Sequence, residues 1–110
     1  MAYDVGLADR IRAALDGEPS VVEKKMFGGL QFMVNGKIAV GATVDGELLV
    51  KSDPAHADEL VTRPGAQHAA MRGREMKGGW IAVTPEGVVG EDLNFWIDVA
   101  LEFNARTTKA

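Results

Sequence analysis

Apolar residues recur every four positions near the start of the chain: Leu7, Ile11 and Leu15, with Ala8 and Ala14 beside them. Asp9, Arg10 and Arg12 fall elsewhere on the same wheel, so an amphipathic helix is predicted from Asp4 to about Leu15. Asp4 is its candidate cap, and Gly17 with Pro19 prevents its continuation. The pattern then changes. In GLQFMVNGKIAVGATVDGELLVK (residues 29–51), Asn35-Gly36 and Asp45-Gly46 read as two-residue hairpin turns, because both central positions need positive φ. They separate the β-rich runs Leu30–Val34, Lys37–Val44 and Glu47–Lys51, which predicts a three-strand antiparallel meander. Val21 to Met26 is either a further edge strand or a lead-in.

Two-residue turns also dictate register. Val34 should face Lys37, Phe32 Ala39 and Leu30 Gly41; across the second turn, Val44 should face Glu47 and Thr43 Leu48. One face of the meander then carries Leu30, Phe32, Val34, Ala39, Thr43, Leu48 and Val50. The other carries Gln31, Met33, Ile38, Val40, Ala42, Val44 and Leu49, with Glu47 and Lys51 at the rim. Neither face is polar, whereas an antiparallel sheet with one solvated face should alternate cleanly. Either helices cover both faces, or one face meets another molecule. If both long helices pack on the Leu30 face, Met33, Ile38, Val40, Val44 and Leu49 stay uncovered. A homodimer burying that strip is therefore expected, with Val40→Glu dissociating it.

After Pro54 a short helix is predicted from Ala55 to about Val61, ended by Arg63-Pro64-Gly65. Residues 66–79 are the least regular part, and Trp80 to Thr84 reads as another strand. A last helix starts near Gly90, where Glu91 and Asp92 suit the positive end of the helix dipole. Its apolar stripe is Leu93, Trp96, Ile97, Ala100 and Leu101, widened by Phe103. Trp96, Ile97 and Leu101 are expected in the main core. Together these elements predict an α+β fold in one domain, residues 1–110.

Composition narrows the function more than it names it. With 110 residues the chain buries one modest core, and 46% hydrophobic with 25% charged residues is ordinary for a globular protein. The absence of cysteine excludes disulfides, thiolate zinc sites, iron–sulfur clusters and cysteine nucleophiles. No apolar run is long enough for a membrane helix and the start lacks signal-peptide character, so a cytoplasmic protein without membrane partners is expected. A net charge of −4 opposes general nucleic-acid binding.

Candidate chemistry is sparse. His56 and His68, with Asp58 or Glu59 near the first, match no metal-ligand spacing and read as surface or loop residues. Ser20 and Ser52 sit in no nucleophile elbow. Gly28-Gly29 and Gly78-Gly79 each lead into a strand rather than a helix, so they read as tight backbone turns and not phosphate loops. Arg63, Arg72, Arg74 and Lys77, opposed only by Glu75, are the one local charge anomaly. They read as a solvated basic loop, with an anion, acidic-partner or nucleic-acid patch as the functional alternative. No catalytic residue, metal or cofactor is expected.

The segments MFGGLQFMVNGKIAVG (26–41), REMKGGWIAV (74–83) and DLNFWIDVALEF (92–103) together resemble the TfoX amino-terminal domain family. The most specific part is Met26-Phe27-Gly28-Gly29 followed by a strand and Asn35-Gly36; Gly79-Trp80 and the Trp96 helix add to it. The resemblance implies an antiparallel sheet in α-β(3)-α-β(2)-α order, related to secretion-chaperone folds, with residues 67–72 forming an extra short strand. It transfers no catalytic residues. It implies a regulatory role of the kind found in bacterial competence. The chain ends with its last helix, without the carboxy-terminal domain of the full regulators, so direct transcriptional action is not expected. The combined reading is a non-enzymatic interaction or regulatory module with an unidentified protein partner. A nucleic-acid or phosphate binder and a small-ligand protein or enzyme are the alternatives.

Overall fold

The computed structural model describes residues 3–26, 28–43, 46–71, 73–76 and 78–108, and of Met71 only the backbone. Helix α1 (Val5–Ala14) begins where expected: the Asp4 carboxylate accepts from the Leu7 amide at 3.1 Å, satisfying one of the free donors of the first turn. Four strands follow, β1 (Val21–Met26), β2 (Gly29–Val34), β3 (Lys37–Ala42) and β4 (Leu48–Lys51), then a single turn of helix, α2 (Ala57–Leu60). Next come β5 (Ala66–His68), β6 (Ala70–Met71), β7 (Arg74–Glu75) and β8 (Trp80–Val83). A 3₁₀ turn at Pro85–Val88 leads into helix α3 (Asp92–Thr108). The α+β class and the run of elements agree with the reading of the sequence.

Six strands form one antiparallel sheet in the order β1-β2-β3-β4-β8-β5. Residues 21–26 are a true edge strand. The region expected as one extra strand is divided: β5 joins the main sheet, whereas β6 pairs with β7 in a separate two-stranded ribbon.

Two register expectations fail, each for a local reason. Beyond the Asn35-Gly36 turn, Val34 faces Lys37 and Met33 faces Ile38, but a bulge inserts Ala39. Phe32 then lies opposite Val40 rather than Ala39, and Leu30 opposite Ala42 rather than Gly41. At the second turn Thr43 faces Glu47, its amide donating to the Glu47 carbonyl at 2.9 Å, and Ala42 pairs with Leu48. Three residues, not two, separate Thr43 from Glu47, with Gly46 at φ 80°. Val44 and Asp45 lie outside the described residues, so the expected pairing of Val44 with Glu47 does too.

The bulge turns Val40 and Ala42 inward. Both long helices pack on the face with Leu30, Phe32, Val40, Leu48, Val50, Ile81 and Val83, and Leu7, Ile11, Trp96 and Ile97 complete that core. Trp96 is buried; Leu101 is only half-buried at its edge. Val40 is 0% exposed, which removes it from the uncovered strip and from the expected dimer contact. On the opposite face Leu49 packs with Ala69, Ala82, Met76 and Trp80. It is covered as well. Met33 and Ile38 are half-buried on that second face. At the sheet edge, Arg12 of α1 bonds Glu23 of β1 at 2.6 Å and holds that carboxyl below its ordinary value, the hydrogen bond outweighing the opposing effect of burial.

Candidate functional site

The signature residues are structural devices. Met26 pairs with Gly29 across the β1–β2 turn, where Gly28 has φ 76°; Phe27 lies outside the described residues. A side chain at Gly29 would place its Cβ 2.2 Å from the Ala42 carbonyl oxygen, so glycine lets β2 approach β3 there. Asn35 (φ 54°) and Gly36 (φ 84°) form the β2–β3 turn. Gly79 has φ 88°, and its carbonyl accepts both the Ser52 amide at 2.9 Å and the Ser52 hydroxyl at 2.7 Å. Ser52 is thereby buried and engaged in holding β4 to β8 rather than presented as a nucleophile.

The basic stretch does not gather into one patch among the described residues. The Arg63 guanidinium stacks 3.6 Å from the ring centroid of Phe95 on α3, in the helical layer. Arg74 lies on β7, in the separate two-stranded ribbon. Arg72 and Lys77 lie outside the described residues. His56 is exposed, 3.9 Å from Asp53, and His68 meets exposed Asp58 at 3.0 Å. Among the described residues no three His, Asp or Glu side chains converge on a point.

What the sequence did not point to is a cleft of about 450 Å³ at the Asn35-Gly36 end of the sheet. Its origin lies in the bulge. β3 pairs with β4 only from Val40 to Ala42, so the first residues of β3 diverge from the end of β4. Met33 and Ile38 line one wall, and Lys51 of β4 and Trp80 of β8 line another. The last two turns of α3 form the third, through Ala100, Phe103, Asn104 and Thr107. Asn104 fixes that wall: its amide donates to the Val34 carbonyl at 2.8 Å and its oxygen accepts from the Asn35 side chain at 3.2 Å. Exposed Lys37, at the rim, donates to the Thr107 carbonyl at 3.4 Å, where the negative end of α3 favours a cation.

Lys51 is the charged group set deepest in this cleft. Its ammonium lies 5.3 Å from the ring centroids of both Trp80 and Phe103 and donates to the Gly78 carbonyl. Burial pushes its pKa below the ordinary lysine value, and the nearby Lys37 charge adds to that. Among the described residues no carboxylate lines the cleft, although the chain carries 16 acidic residues. A smaller hollow of about 220 Å³ lies on the other side of Phe103. There Asp53 accepts from the Ala55 amide and from Arg106, which together hold its carboxyl below the usual range, so its charges are already matched.

One signal of the cleft was present in the sequence. The apolar stripe of α3 runs Trp96, Ala100, and its next position is Asn104, a polar side chain where a core residue belongs. Lys51, closing the run Leu48-Leu49-Val50, is a second.

No helix among the described residues is long and apolar enough to cross a membrane. Comparison with curated proteins and with solved structures finds no match. The family model described as the TfoX N-terminal domain, in contrast, matches residues 13–104. That span runs from the end of α1 to the buried Asn104, taking in the whole sheet and every residue named in the cleft lining except Thr107, and the chain belongs to the TfoX N-terminal domain family.

Proposed function

We propose that this domain is a non-catalytic regulatory module that works by binding at the cleft between the bulged end of the sheet and the last two turns of α3. The observation that carries the reading is the composition of the lining. Met33, Ile38, Ala100, Phe103 and Trp80 offer apolar surface, while Asn104 and Lys51 already bond the protein's own carbonyls. Such a site is suited to recognition: apolar walls with a few fixed polar groups. Family membership supports a link to competence or to the control of gene expression in a bacterial cytoplasm. The test is made in the organism that carries the gene. A strain with Ile38→Gln should reproduce the change in gene expression caused by deleting the gene, while Arg74→Ala leaves expression as in the parent. An Ile38→Gln strain that matches the parent while the protein stays folded overturns the cleft reading. A deletion that alters no transcript overturns the regulatory one.

A second reading, that two copies pair, rests on the free edge of β1. Val22 is 54% exposed on that strand, and β1 is the last strand of the sheet, so a second β1 can pair with it about a two-fold axis. Light scattering at micromolar concentration should give the mass of a dimer, reduced to that of a monomer by Val22→Pro. A monomeric mass for the unmodified chain removes this reading.

A further inference from the structure

Building on the cleft as the binding site, we propose that its ligand is a small amphipathic carboxylate, with the anionic head on Lys51 and the apolar body along Met33, Ile38 and Trp80. Three observations converge on this class. The volume, about 450 Å³, lies within the ~300–1,000 Å³ range of ordinary small-molecule sites. The walls are mostly apolar, so a ligand polar throughout would lose its hydration without replacement. The charge is positive and unopposed by any carboxylate among the described residues of the lining, in a chain whose net charge is −4.

Lys51 is set up for such a head. An ammonium carries three donors, and among the described residues only the Gly78 carbonyl accepts from it, the aromatic rings offering π-faces instead of acceptors. A carboxylate reaching it gains a charge-assisted bond beside the apolar walls. Burial lowers the Lys51 pKa, so the ammonium costs the fold something to keep there. A methionine would fill the same space at no such cost, which suits a lysine retained for binding. One head charge fits better than two. A phosphate dianion is best held by a helix N-terminus or a cluster of amides, whereas this cleft is walled by the C-terminal end of α3.

Trp80 supplies the readout. It lines the cleft, whereas the chain's other tryptophan, Trp96, is 1% exposed in the core. Titration of the intact domain with decanoate should shift tryptophan emission and saturate at one equivalent, with decanol at least about tenfold weaker and inorganic phosphate inert. Lys51→Met should weaken decanoate by about tenfold or more and leave decanol unchanged, and Lys51→Arg should retain decanoate binding. Equal affinity for decanol and decanoate, tighter binding of phosphate, absence of any saturable shift, or decanoate binding untouched by Lys51→Met each overturns the proposal. If Lys51→Met fails to fold, the decanoate–decanol comparison on the unmodified protein decides alone. The broader cleft reading is judged separately. A Lys51→Met strain with parental gene expression, beside an Ile38→Gln strain that mimics the deletion, removes the carboxylate and leaves the cleft.

Discussion

The two faces of the one sheet are built to different standards. On the helix-covered face, Phe32, Val40, Val50, Ile81 and Val83 are completely shielded from water. Across the same strands, Gln31 and Leu49 are also buried, but Met33, Ile38 and Trp80 remain partly open, and Val22 is largely exposed. Two long helices cover the first face, whereas on the second only a small cluster forms, of Leu49, Ala69 and Ala82 with Met76 and Trp80. A strand's alternation shows which residues share a face. How completely each face is covered depends on which distant elements reach it, and here that difference separates the part that stabilises the fold from the part open to a ligand.

Val40→Glu tests the comparison most severely. On an open face this change would leave the monomer folded. Val40 is instead sealed between Phe32, Val50 and the helices, and an unpaired carboxylate there meets a desolvation cost of several kcal/mol. Loss of cooperative unfolding, seen by circular dichroism and denaturant melts, is expected. A folded Val40→Glu protein would mean that the bulge at Ala39 is absent and the two faces are exchanged.

Trp96→Ala comes next. The side chain is buried among both helices and the sheet, with Phe95 edge-on at a centroid distance of 5.2 Å. A loss of ~3–5 kcal/mol is expected, a large share of a small domain's stability. Ile38→Ala supplies the contrast. It removes a smaller apolar side chain, and from the half-open face, where solvent or a ligand already reaches, so about 1 kcal/mol is expected. Costs that came out equal would show the cleft to be as closed as the core, and the distinction between the faces would fail.

These expectations also mark what the sequence could disclose. Helices α1 and α3 were legible because their stripes are long and periodic, and Asp4 is a local cap whose effect reaches only one turn. The Asn35-Gly36 turn was legible because its chemistry is confined to two residues. The bulge was not, since nothing in Phe32, Met33 or Ala39 announces an extra residue; it follows from how β2, β3 and the helices fit together. One inserted residue was enough to move Val40 and Ala42 from one face to the other. The cleft was invisible for the same reason. Its walls come from four strands and a helix, and it exists because β3 diverges from β4 below the bulge. Only Asn104, a polar residue on an apolar stripe, and Lys51, closing an apolar run, indicated locally that something other than packing was at work.

Two buried amides carry the comparison to its smallest scale. Asn104, at 4% exposure, has partners for both atoms, the Val34 carbonyl and the Asn35 side chain. Asn104→Leu should therefore cost about 1–3 kcal/mol, because the Val34 carbonyl is left without its donor inside the fold. Gln31, on the second face, is 1% exposed and only half satisfied: its nitrogen donates to the Met26 carbonyl at 3.2 Å, while its oxygen has no partner among the described residues. That oxygen lies over Gly41, where a Cβ would come within 1.9 Å of it, so the amide fills space that glycine leaves open. Gln31→Met keeps the length and most of the volume. It removes one modest hydrogen bond together with one stranded acceptor, two effects of ~1 kcal/mol and opposite sign. Urea melts should place the variant within about 1 kcal/mol of the parent, on either side. A loss above ~2 kcal/mol would show that the Gln31 oxygen is satisfied in solution, and that the second face is finished to the same standard as the first.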